Sequence, residues 1–193
     1  MYSDASDSYS PRKAAQVIAL LALRAGGGLD VLKAVKLVYL ADRESMARHG
    51  FPILDELHVS MKHGPVNSTT YSHINGEVDL DGCGWTEFVL ARENHMVAVA
   101  EGVAEDGLDE LSEADVDCLD AVWRRFGAMD KWKLVDWTHD RENLPEWEDP
   151  NGSSKPIPLE RTLGYLGVAH PDDQAETIRE YRRIDSLFAS LRR

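Results

Sequence analysis

The chain has 193 residues, 43% of them hydrophobic and 28% charged, which suits one globular domain burying roughly 70% of its unfolded surface and argues against disorder or a membrane protein. A formal charge of −13 opposes contact with a phosphate backbone, so direct nucleic-acid binding is disfavoured and a basic protein partner suits the sign better. Cys83 and Cys118 form no Cys-x-x-Cys pair, which removes a zinc ribbon, a thioredoxin motif or a disulfide framework and fits a reducing cytoplasm.

Residues 1–9 lack the apolar content to pack and read as a mobile tail. Ser10 before Pro11 is an N-cap followed by proline at the first helical position, and Gly26-Gly27-Gly28 ends the run, so a first helix is expected over 11–25. Its apolar stretch, residues 14–23, is too short to span a bilayer, and no secretory signal is evident. The glycine triplet precedes no Gly-Lys-Ser/Thr, so it reads as a helix stop rather than a phosphate loop. Asp30 caps a second helix over 31–49, ended by Gly50, with Val31, Leu32, Val35, Val38, Tyr39 and Met46 on one stripe. Asp42 falls on that same face, where a carboxylate needs backbone N–H or hydroxyl donors from a neighbouring loop.

Leu57, Val59 and Met61 alternate with His58, Ser60 and Lys62, the pattern of a short strand. His63-Gly64-Pro65 breaks it, and Pro65 is expected to open a helix that carries Val66, Thr70, Tyr71 and Ile74 to Gly76. The acidic, glycine-rich residues 77–84 form a loop, after which 85–91 and 95–100 flank Arg92-Glu93-Asn94 as a β-hairpin. Between Glu101 and Asp120 stand nine acidic residues and no basic one, a solvated face. Ser112 with Asp115 opens a helix through Val116, Leu119, Trp123 and Phe126, and Asp130 caps another with Trp132, Leu134, Val135 and Trp137. Residues 149–156 are a loop, and Pro158 opens a short helix to about 166. A last helix after Pro171, capped by Asp172 or Asp173, presents Ile178, Tyr181, Ile184, Leu187, Phe188 and Leu191, and bears Arg179, Arg182, Arg183, Arg192 and Arg193. The expected fold is α+β, predominantly helical: one compact domain over 10–193 with a small antiparallel hairpin or sheet.

Catalytic signatures are missing. No His-Glu-x-x-His, Gly-x-Ser-x-Gly, phosphate loop or Gly-x-Gly-x-x-Gly occurs, and nothing nominates either cysteine as a nucleophile. The chain is therefore expected not to be an enzyme, and to use no cofactor and no metal. One alternative of another class stays open, a metal-dependent hydrolase built on Asp42, His63 and His73 as a two-histidine, one-carboxylate set.

Lys36-Leu-Val-Tyr-Leu-Ala-Asp42, Gly50-Phe-Pro-Ile53, His63-Gly-Pro-Val66 with Tyr71, Thr138-His139, Pro145-Glu-Trp147 and Ile157 occur in this order. From about residue 11 to 166 the chain resembles the Panacea domain of SocA-like antitoxins from bacteria and phages. That resemblance implies an antitoxin that neutralises a cognate toxin, the product of an adjacent gene, by direct protein–protein binding in the cytoplasm. It also admits a proteolytic adaptor delivering the toxin to a Clp protease. Tyr39, Asp42, His63, Gly64, Pro65, Val66, His139 and Trp147 match the family pattern. These are expected to hold the fold, with Asp42 and His63 joined in one buried polar network. Lys62, Asn67, Thr69 and His73 are the expected toxin contacts, as exposed groups beside the Gly-Pro turn.

Overall fold

A computed structural model describes residues 9–191. The tail expected over 1–9 lies outside the described residues except for Tyr9, which packs: its hydroxyl is 3.1 Å from Thr70 Oγ1 and its ring centroid 5.3 Å from that of His73. Arg192 and Arg193 also lie outside.

The N-terminal half follows its caps. Ser10 accepts from Lys13 N and opens helix α1, Pro11–Arg24. Asp30 accepts from Leu32 N and opens α2, Val31–His49, which Gly50 closes in the left-handed conformation at φ 79°. Between them, Gly28–Asp30 forms strand β1, an element hidden in the sequence by the glycine triplet. Helix α2 is the axis of the molecule. Packed by α1 and by the elements that follow, it is buried around most of its circumference, polar Lys36 and Asp42 included.

The next segment departs from expectation. Strand β2, His58–Met61, turns at Lys62-His63 and returns as strand β3, Gly64–Asn67, so Pro65 lies in a strand and helix α3 begins only at Ser68, running to Ile74. Proline is tolerated there because β3 is an edge strand. The hairpin expected over 85–100 is reduced to strand β4, Met96–Ala98, whose ladder partner is β1; the former mate survives as two isolated antiparallel bridges, Val89–Val99 and Glu93–Met96. A capping box of Ser112 and Asp115 opens α4, Glu113–Phe126, and Asp130 caps α5, Lys131–His139. Strand β5, Lys155–Pro156, adds antiparallel to β2, giving the sheet order β3-β2-β5.

The chain ends with α6, Leu159–Tyr165, and α7, Pro171–Leu191. Asp172 and Asp173 lie inside the first turn of α7, where their charge suits the helix dipole, and do not cap it. Of the apolar stripe on α7 only Ile178 is buried, in a satellite cluster with Met46, Leu159, Leu163 and Ala175. Tyr181, Ile184, Leu187, Phe188 and Leu191 stay exposed. The α+β, mainly helical architecture is as expected, and no helix among the described residues is long and apolar enough to cross a membrane.

Candidate functional site

Three residues of α2 spaced three apart, Lys36, Tyr39 and Asp42, point along one face at the β2–β3 hairpin and the 138–148 segment. Each meets a different polar partner. Asp42 Oδ1 accepts from the backbone N–H groups of Ile53 and Leu54 at 3.0 and 2.9 Å. Its Oδ2 accepts from His58 Nε2 at 2.9 Å and Asn67 Nδ2 at 2.6 Å. Four donors thus satisfy a carboxylate that is 1% exposed, and the contact fixes the proton of His58 on Nε2. Tyr39 donates to Glu146 Oε1 at 2.9 Å, an oxygen also held by Arg43 Nε at 2.7 Å, while its ring meets the edge of His58 at 5.2 Å. Lys36 Nζ donates to Pro65 O at 2.8 Å. Burial pushes this ammonium down from 10.5 to about 7.

The turn of the hairpin is built against that lysine. Gly64 has φ 96°, and a Cβ there would lie 2.6 Å from Thr138 Oγ1 and 3.2 Å from Lys36 Nζ. Gly64→Ala is therefore expected to cost about 2–4 kcal/mol of unfolding free energy in a urea titration, combining left-handed strain with overpacking. A loss below about 1 kcal/mol would contradict the close approach. Beside the turn, the ring of His139 lies 4.4 Å from that of Trp147, Trp147 Nε1 donates to Met61 O at 3.3 Å, and His139 Nε2 is buried without a partner among the described residues. Desolvation, then the charge of Lys36, holds the imidazole of His139 below its ordinary pKa.

A second buried carboxylate lies on the loop before β2. Glu56 accepts from the N–H groups of Thr69 and Thr70 at 2.6 and 2.9 Å and from the Thr70 hydroxyl, so it caps α3 from outside the helix. Burial nevertheless raises its pKa to about 7.

The sequence-derived candidates separate into two groups here. Tyr39, Asp42, Gly64, Pro65, Val66, His139 and Trp147 do line one seam. His63 does not join it; it is exposed at the turn with its ring 6.2 Å from Trp132, and His58, on a buried strand, takes the place beside Asp42. Among the expected toxin contacts only Lys62 is exposed. Asn67 is 2% exposed and spends its amide on Asp42, Thr69 gives its N–H to Glu56, and His73, 7% exposed, lies between the rings of Tyr9 and Trp85. Asp42, His63 and His73 thus have separate surroundings, and among the described residues no group of three His, Cys, Asp or Glu side chains is placed to hold a metal. Sequence reading missed His58, Arg43, Glu56 and Glu146. His58 carries no local signal of this, because β2 buries both faces over His58–Ser60, a fact of its packing rather than of its alternation.

The seam joins Lys36, Tyr39 and Asp42 to residues 53–54, 58, 65–67, 138–139 and 146–147, segments scattered over more than a hundred positions. A family model described as antitoxin SocA-like, Panacea domain, matches residues 35–148, more than half of the chain and all of this seam. The chain belongs to the Panacea family. No curated protein and no solved structure matches it. The matched region contains the whole polar skeleton that fastens α2 to the hairpin and to the 138–148 segment. Helices α6 and α7 follow the matched region, and α1 precedes it.

Proposed function

We propose that this Panacea-domain chain is an antitoxin that neutralises a cognate toxin by direct, non-catalytic protein contact in the cytoplasm. The family match is the observation that carries the reading. The chemistry of the seam supports it. The Asp42 carboxylate is saturated by four donors, Lys36 is 1% exposed, and Cys118 is buried with its thiol pushed up by desolvation, so these groups are spent on folding. A charge of −13 adds long-range attraction for a basic toxin.

Co-expression with the product of the adjacent gene tests the proposal. Growth arrest by that product alone, relieved by this chain, with a complex that co-purifies, is the expected result. A neighbour that is harmless alone, or remains toxic in the presence of this chain, would sink the idea. Unchanged toxin turnover during rescue separates occlusion from delivery to a Clp protease.

A further inference from the structure

A groove of about 390 Å³ opens where the N-terminal ends of α2 and α5 meet α3 and the loop before β4. Its floor is apolar, made by Val31, Leu32 and Val35 of α2, and its rim carries Tyr71, Arg92 and Trp132. Trp132 is 53% exposed although it sits in the first turn of a capped helix. Tryptophan, tyrosine and arginine are the residue types that most often dominate protein-binding energy, and this volume lies at the small end of ligand pockets.

The charge of the rim opposes that of the chain. Arg92 and Lys131 both line the groove. The one carboxylate lining it among the described residues, Asp30, is engaged by Lys131 at 2.6 Å and by Leu32 N at 3.0 Å. Arg92 donates, among the described residues, to Asn94 O at 2.7 Å and to Asn75 Oδ1, and its Nη2 lies 3.4 Å from His95 Nδ1. Among the described residues no carboxylate pairs with it. These contacts hold the guanidinium at the groove and leave the second N–H of Nη1 and of Nη2 to donate to a carboxylate.

We infer that this groove is the toxin-docking site, and that it seats an aliphatic or aromatic side chain of the toxin flanked by a carboxylate that pairs with Arg92. The inference rests on the antitoxin reading above. The overall negative field steers a basic partner from a distance, whereas at contact the rim selects an acidic group, so the toxin surface carries both signs. A nucleic acid suits the groove less well, because the −13 charge repels the phosphates flanking any base stacked on Trp132.

The test uses the full chain and the co-expressed toxin, with binding measured by titration and neutralisation by growth. Arg92→Glu and Trp132→Ala are each expected to weaken binding by about 30-fold or more and to abolish rescue, with thermal melting unchanged. Lys133→Glu, on the same helix, and Ile184→Ser, on the exposed stripe of α7, are expected to leave both intact. An Asp→Lys or Glu→Lys change in the toxin that restores binding to the Arg92→Glu chain would identify the paired carboxylate. If wild type neutralises and both groove variants still bind within about threefold, the docking site is wrong and the antitoxin reading stands. Loss of binding in Ile184→Ser alone moves docking to α7 and overturns the groove. A wild-type chain that ignores the toxin but binds an RNA oligonucleotide through Arg92 and Trp132 overturns both readings.

Discussion

Replacing Asp42 with alanine will lower the unfolding free energy by about 3–5 kcal/mol, the largest single-residue loss expected in the seam. The reason is the orphaning of its donors rather than the loss of one attraction. His58 Nε2, Asn67 Nδ2 and the N–H groups of Ile53 and Leu54 all converge on this carboxylate in a region closed to water. Each buried donor left unmatched costs about 1–3 kcal/mol, while collapse around the small alanine recovers part of the sum. Asp42→Asn keeps the volume but replaces one acceptor oxygen by a donor that faces other donors, so it will be nearly as damaging. A double-mutant cycle with His58→Ala should show coupling of about 1–3 kcal/mol, since the two groups touch directly. In cells, toxin rescue by Asp42→Ala will fall in step with the amount of folded chain. Full stability with lost rescue would instead place Asp42 in the toxin contact and refute the structural role.

How far the sequence discloses this arrangement depends on the range of the interaction concerned. Helices α1, α2, α4 and α5 are legible because Ser10, Asp30, Ser112 and Asp130 cap them through contacts two or three residues away. Strand β1 is illegible because three residues beside a glycine triplet become a strand only when Met96–Ala98 arrives to pair with them. Pro65 misled for a related reason: its helix-opening preference is real, but as an edge-strand residue it gives up no ladder bond while its carbonyl receives Lys36. In the seam, the need of Asp42 for backbone donors could be foreseen from its apolar neighbours on α2. Its choice of His58 over His63 could not, since one opens β2 and the other follows it in the turn, and only the packing of β2 and β3 decides which is enclosed. The arginine and tryptophan of the groove, separated by forty positions, carry no local signal at all.

The two buried ionisable groups predict a pH profile with opposite limbs meeting near neutrality. Glu56, facing Asp42 and His58, is raised from 4.5 to about 7, chiefly by burial. Between those values the folded chain keeps a proton that the unfolded chain has released, so stability from this group is present below pH 4.5 and lost as pH rises towards 7. Lys36, facing His139, is lowered from 10.5 to about 7. From pH 7 upward the unfolded chain holds the proton that the folded chain has shed, so stability is regained as pH rises towards 10.5. Urea midpoints measured from pH 5 to 9.5 should therefore show wild type losing on the order of 2 kcal/mol relative to Glu56→Gln on the acidic side of neutrality. On the alkaline side wild type should gain on the order of 3 kcal/mol relative to Lys36→Met. Differences between chains remove the common contribution of exposed carboxylates such as Glu105 and Asp109, which are held below their ordinary range by Arg24 and by Gln16 with Arg12. Curves for the three chains that run parallel across the whole range would show that neither group changes charge on folding, and would require water to reach the seam from which the packing of α2 against the hairpin excludes it.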